Sequence, residues 1–160
     1  ISACLVGSEM CIRDRVIMLA LPWTRRQDLP EAFLFEGKVV IDATNPYENG
    51  HYVKLDPSTS SEEILKLIPG ARLVKAFNTM HYETLRTGSK STPQDRLVIF
   101  MAGDETESKE IVAHLIEEIG FAAVDVGFLH QGGRRMEPDS PIYNVPLTVA
   151  EARKKLEQIP

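Results

Sequence analysis

The chain has 160 residues, a formal net charge of -5 and 43% hydrophobic residues, enough for one domain with a buried core. A mildly acidic chain without a basic stripe interleaved with aromatics is a poor binder of polyanions, so nucleic acid is not an expected partner. No apolar run approaches the roughly 18 residues that a membrane span needs, so no membrane association is expected and the cytoplasm is the default location.

Residues 1–15 contain CLVGSEMCIRDR, where neither helical nor strand periodicity is sustained and Gly7 alone stands for the three glycines of a G-x-G-x-x-G turn. Back-translated, Cys4 to Arg15 resemble a transposon-derived sequencing adapter. The segment is therefore expected to be foreign to the fold, as an expression scar would be. Cys4 and Cys11 leave with it, and residues 16–160 then hold no disulfide, thiolate nucleophile or cysteine metal site.

From residue 16 onward, short apolar runs rich in β-branched residues alternate with segments at helical spacing, the pattern of an α/β domain with a mostly parallel sheet and flanking helices. The predicted strands are VIMLALP (16–22), KVVIDAT (38–44), RLVKAF (72–77), LVIFMAG (97–103) and AAVDVG (122–127). Most are nearly continuous apolar runs, as strands buried on both faces are. In SSEEILKLIPG, Ser60 and Glu63 stand at capping-box spacing ahead of Ile64, Leu65, Leu67 and Ile68, and Pro69-Gly70 stops the helix. Asp104 and Glu107 repeat the spacing before a helix that would bury Ile111, Val112, Leu115, Ile116 and Ile119. Thr148 and Glu151 repeat it before a last helix through Leu156.

The loops at Pro22-Trp23, Thr44-Asn45-Pro46-Tyr47 and Asn78-Thr79-Met80 follow the carboxyl ends of predicted strands. In an open parallel sheet that edge is where ligands bind, so these loops outrank the other polar clusters as site candidates.

VIMLALPW, GKVVIDATNPY, GARLVKAFNTM, AGDETESKEIVAHLIEEIGFAAVDVG and GGRRMEPDSPIYN resemble, in order and spacing, the NADPH-dependent 8-hydroxy-5-deazaflavin reductase family. That resemblance covers nearly all of residues 16–144. It implies a Rossmann-like, partial NAD(P)-binding domain over residues 16–160 that lacks the family's first strands and its Gly-rich pyrophosphate turn. It further implies hydride transfer between NADP(H) and the 8-hydroxy-5-deazaflavin coenzyme, small-molecule cofactors as partners, and a possible homodimer. Without the Gly-rich turn the chain as written is expected to bind NADPH weakly and to be inactive. A pyrroline-5-carboxylate-type imine reductase and a non-catalytic dinucleotide sensor remain alternatives.

Hydride transfer between two ring carbons needs no nucleophile, so apolar loops and backbone groups that hold two flat rings face to face suffice. The candidate cofactor contacts are Ala20, Leu21 and Pro22, then Thr44, Asn45 and Pro46, then Ala76, Phe77, Asn78, Thr79 and Met80. By the resemblance Leu21-Pro22 walls the ribose and nicotinamide, although Pro22 could simply end a strand; Trp23 reads as a packed surface aromatic. Asn45 either orients the nicotinamide amide or forms an Asx turn. Met80 is either a contact or core packing. His81 reads as a surface residue sooner than a group polarising a ring carbonyl. His51 and His130 fall in expected loops, His114 falls on the polar side of its helix, and no metal-ligand spacing occurs. Arg134 and Arg135 read as a salt-bridged surface turn beside Glu137 and Asp139, with anion binding as the other reading. Gly132-Gly133 read as a chain reversal.

Overall fold

The computed structural model describes residues 16–159; the adapter-like segment, 1–15, lies outside the described residues. Among the described residues there are seven strands, in chain order β1 (Val16–Leu19), β2 (Val39–Asp42), β3 (Tyr47–Glu48), β4 (His51–Tyr52), β5 (Arg72–Ala76), β6 (Val98–Gly103) and β7 (Ala122–Asp125). The helices are α1 (Ser60–Leu67), α2 (Tyr82–Thr87), α3 (Thr106–Glu118), α4 (Leu129–Arg135) and α5 (Val149–Leu156). The main sheet has the order β1-β2-β5-β6-β7. Neighbours are parallel except β5 and β6, which run antiparallel. The architecture is thus the mostly parallel, helix-flanked, Rossmann-like sheet expected from the apolar runs. An apolar run carries no direction, so the reversal at β6 was not legible in it.

β2 and β6 are buried at every position, as fits strands covered on both faces. One face carries Ile17, Leu19, Val40 and Leu73 against Ile64 of α1 and Ile68, which caps its end. Beneath the other, Val39, Ile41, Val74 and Ile99 meet Val112 and Ile116 of α3. A third cluster joins Phe100 and Ala102 to Met136, Ile142 and Ala152. Ile119, expected in the core, is 40% exposed because the helix ends one residue before it. Between β1 and β2 the chain makes two 3-10 turns, Trp23–Asp28 and Ala32–Phe35. Pro22 and Pro30 bracket the first and prevent a longer helix there. The turn carries Trp23 into the core at 3% exposure, which corrects its reading as a surface aromatic.

Two capping expectations are also corrected. Thr59, one residue earlier than predicted, caps α1: Glu62 reaches back to accept from Thr59 N at 2.8 Å and Thr59 Oγ1 accepts from Glu62 N. Glu63 pairs instead with Lys66. α3 has no side-chain cap, because Asp104 accepts Leu129 N of α4 at 2.8 Å while Glu105 and Glu107 hold Arg72 at 2.6 and 2.7 Å. The Thr148–Glu151 box at α5 forms as expected. Gly132 and Gly133 lie inside α4, with no reversal, and an added Cβ on Gly132 would stand 2.7 Å from Ala102 Cβ. The glycine is what lets the helix approach β6 so closely. His130 is on α4 and His51 is in β4, so neither is in a loop.

Candidate functional site at the carboxyl edge of β1, β2 and β5

The three parallel strands end side by side, so the loops after Leu19, Asp42 and Ala76 form one continuous rim. Ala20 and Pro22 are exposed on it, Leu21 is half-buried against the first core cluster, and Pro46 and Ala76 are buried. Met80 and Phe77 pack against the second cluster from half-buried positions. Phe77 has φ of 69°, a left-handed conformation uncommon for an aromatic residue. It reverses the chain directly after β5 and delivers Asn78 and Thr79 inward, 4% and 3% exposed.

Asn45 and Asn78 clasp each other. Asn45 Nδ2 donates to Asn78 O at 3.0 Å, and Asn78 Nδ2 donates to Asn45 Oδ1 at 3.0 Å and to Met136 O at 2.8 Å. The Asn45 amide is thus bonded to its neighbour and forms no Asx turn, Tyr47 N donating to the Asn45 backbone carbonyl instead. Asn144 N donates to Thr79 O, drawing the segment after α4 over the rim. The β3–β4 hairpin stands beside it, built on Asn49 and Gly50 with φ of 51° and 80°. Asn-Gly at such a turn is a recognisable hairpin signal, and it places Tyr47 and Tyr52 with ring centroids 6.3 Å apart.

Under the rim lies a charged network that apolar periodicity does not single out. Lys75 and Asp42 are register partners on adjacent strands, both fully buried, with Nζ 3.6 Å from Oδ2. Lys75 Nζ donates to Ser60 Oγ at 2.7 Å and to Thr44 O at 3.3 Å. Ser60 N and Oγ donate to Glu137 Oε1 at 2.9 and 2.8 Å, Ser61 Oγ donates to Asp42 Oδ2, and Thr44 N donates to Asp42 Oδ1 at 2.9 Å. The signal available in the sequence was one charged residue inside each of two otherwise apolar strands, KVVIDAT and RLVKAF. Burial pushes the Tyr52 phenol well above its ordinary range, with the charges of Glu137 and Asp139 adding to it. Tyr143 shifts the same way, by burial and by its hydrogen bond to Tyr47.

One other expectation fails on geometry, that for Arg134, while His81 and His114 lie at the surface as expected. Arg134 is part of no salt-bridged turn: its Nη2 donates to the carbonyls of Leu55 at 2.6 Å and Ser58 at 2.7 Å, tying α4 to the loop before α1. His81 caps α2, its Nδ1 accepting from Glu83 N at 3.3 Å. His114 is exposed and faces Glu118 at 3.2 Å on α3.

A dinucleotide's nicotinamide end needs an apolar wall and partners for one carboxamide. Leu21, Pro22 and Phe77 provide apolar surface, while Pro46 is buried. Thr44 Oγ1 and Asn78 Oδ1, one able to donate and one to accept, have no hydrogen-bond partner among the described residues. That unused capacity fits a carboxamide in kind. A separate apolar cavity of about 430 Å³ is lined by Met18, Ile41, Phe77, Leu115 and others. It opens on the face of β1 where a doubly wound sheet sets helix against strand, so its walls read as packing surface. Among the described residues no His, Cys, Asp and Glu group is placed to hold a metal ion, and no helix is long and apolar enough to cross a membrane.

No protein-family model matches the chain. It is similar to the metalloreductase STEAP3 of Rattus norvegicus, 32% identical over 94 residues, which are 58% of this chain and 18% of that protein. The chain thus spans less than a fifth of that relative's length. Among solved structures, it resembles a hypothetical protein, SMa0349 of Sinorhizobium meliloti, at 29% identity and TM-score 0.76, covering 86% of this chain and 68% of the other. It also resembles a putative F420-dependent NADP-reductase from Arthrobacter sp. FB24, at 21% identity and TM-score 0.65, covering 79% and 60%.

Proposed function

We propose that this domain belongs to an oxidoreductase that binds NADP(H) along the rim of β1, β2 and β5 and exchanges hydride with an 8-hydroxy-5-deazaflavin coenzyme. The observation that carries the reading is the convergence of three strand-end loops, apolar in their outer residues and holding spare carboxamide-type capacity at Thr44 and Asn78. The fold shared with a protein described as an F420-dependent NADP-reductase, and the sequence similarity to one described as a metalloreductase, support the same class of chemistry.

When bound, the reduced nicotinamide supplies the hydride. The chain's own work is to place and shelter it. Leu21 and Pro22 present a wall that excludes water from one side of a flat ring. Thr44 and Asn78 would orient the carboxamide and so fix which ring face is presented, and Ala76, Phe77, Thr79 and Met80 close the base of the rim. Asn45 acts on Asn78. The acceptor ring gains the hydride at carbon and a proton at ring nitrogen; the hydride needs no nucleophile from the chain, and the proton is drawn from solvent.

The test is NADPH oxidation by the protein expressed in its native reading frame, with the deazaflavin coenzyme, a flavin, a cyclic imine and ferric chelates as acceptors. Turnover restricted to the deazaflavin supports the proposal. Turnover with ferric chelate alone moves the assignment toward metal reduction, and tight NADPH binding without turnover on any acceptor identifies a sensor.

A further inference from the structure

We propose that Lys75, Ser60 and Glu137 are positioning residues, forming a buried relay that locks the Thr44–Asn45 peptide and the Asn78 side chain at the carboxyl edge and thereby sets where the reacting ring lies. The proposal rests on the reductase reading for its kinetic part only; its geometric part stands on the hydrogen bonds.

Strand β2 ends at Asp42; Ala43 N still donates to Leu19 O of β1 at 3.0 Å, but Thr44 makes no backbone hydrogen bond to a neighbouring strand among the described residues. Thr44 is gripped by side chains instead. Asp42 Oδ1 accepts its N–H at 2.9 Å and Lys75 Nζ donates to its carbonyl at 3.3 Å, so the two charges of one buried pair hold opposite sides of one residue. The relay then runs in a defined direction. The single hydroxyl hydrogen of Ser60 goes to Glu137, which leaves Ser60 Oγ to accept from Lys75. Glu137 follows Met136, whose carbonyl accepts Asn78 Nδ2, and that amide returns to Asn45 beside Thr44. The circuit is closed. It joins the ends of β2 and β5, the first turn of α1 and the segment after α4.

Packing does not demand this arrangement. Lys75 is fully removed from water, and a buried ion pair of this kind is often matched or exceeded in stability by apolar residues of similar volume. What apolar residues could not do is fix a peptide at a rim to a fraction of an ångström. Hydride transfer is sensitive to that placement.

The experiment compares Ser60→Ala, Glu137→Met and Glu137→Gln with the wild-type full chain. Ser60→Ala removes the hydroxyl at the centre of the relay, Glu137→Met removes the acceptor at its end, and Glu137→Gln keeps an acceptor oxygen for Ser60. The expected result for Ser60→Ala and Glu137→Met is a fall in kcat of about tenfold or more. A larger deuterium isotope effect with NADPH labelled at the transferring carbon should accompany it, with affinity for the adenosine 2′-phosphate half of the cofactor unchanged. Glu137→Gln should recover most of the activity. Backbone amide exchange should accelerate at Thr44 and Asn45 and stay at its wild-type rate at Val40 and Ile41. Unchanged kcat in a folded Ser60→Ala, or a matching loss of affinity for the adenosine half, overturns the proposal. If the wild type turns over no acceptor, the outcome expected of a chain without the Gly-rich turn, the exchange pattern alone decides on the relay: acceleration confined to the rim supports it, and uniform or absent acceleration overturns it. Should Ser60→Ala not fold, the two Glu137 variants give the same decision.

Discussion

Alanine at Gly132 and alanine at Gly133 should change the stability of this protein in opposite directions, although the two positions are adjacent in one helix. Both substitutions gain about 1 kcal/mol of intrinsic helix preference. At Gly133 the added Cβ meets nothing nearer than Thr59 Oγ1 at 3.5 Å, an ordinary contact, so the gain should survive. At Gly132 it would stand 2.7 Å from Ala102 Cβ and 3.0 Å from Val126 O. Ala102 Cβ is fixed to the backbone of β6, so the helix must lift away. Overpacking of this kind costs about 1–3 kcal/mol, which offsets the helix gain and leaves a net destabilisation of up to about 2 kcal/mol. The two variants should then differ in thermal midpoint by on the order of 5 °C. Urea and thermal unfolding of both, together with the Gly132→Ala/Ala102→Gly double variant, would measure it, and the cycle should show favourable coupling between positions 102 and 132. Equal midpoints for the two single variants, or zero coupling, would refute the claim that close approach of α4 to β6 is what requires the glycine.

Two pH-dependent predictions follow from named groups. Tyr52 and Tyr143, raised by burial, favour the neutral phenol in the folded state. Their contribution is fully present below the unfolded tyrosine value of about 10 and is lost as pH rises beyond it; spectrophotometric titration should show Tyr52 and Tyr143 ionising late, together with unfolding, and their ionisation in the ordinary range by a folded protein would contradict the burial argument. Glu151 is held low by hydrogen bonds from Thr148 N and Thr148 Oγ1, so its contribution is present above the ordinary carboxylate range and is lost as pH falls through it. Thr148→Ala should lower the unfolding midpoint at neutral pH and lose much of that effect in acid; an effect independent of pH would show that the capping box is not its origin.

Several parts of the molecule were legible before any coordinates. The five main-sheet strands lie within the five apolar runs, α1 and α3 follow from apolar stripes at helical spacing, and α5 follows from its capping-box spacing. These features are local, because burial on both faces and helical periodicity leave their mark within a few consecutive residues. The adjacency of the loops after Leu19, Asp42 and Ala76 also followed, since parallel strands deliver their carboxyl ends to one edge.

What only the tertiary structure decided was pairing. Sequence pattern showed Gly132-Gly133 as breakers and Arg134 as a surface charge, because nothing local records that β6 lies close enough to exclude a Cβ or that the carbonyls of Leu55 and Ser58 wait for a guanidinium. Ser60, drawn to Glu137 77 positions away, and Asp104, drawn to Leu129, left the capping roles their spacing suggested. Asp42 and Lys75 were visible as charges in apolar strands, but the sheet order made them partners, and the approach of α1 and the segment after α4 made them part of a circuit. Secondary structure is set largely by neighbours in the chain, whereas a buried polar group must be satisfied by whatever the fold brings to it.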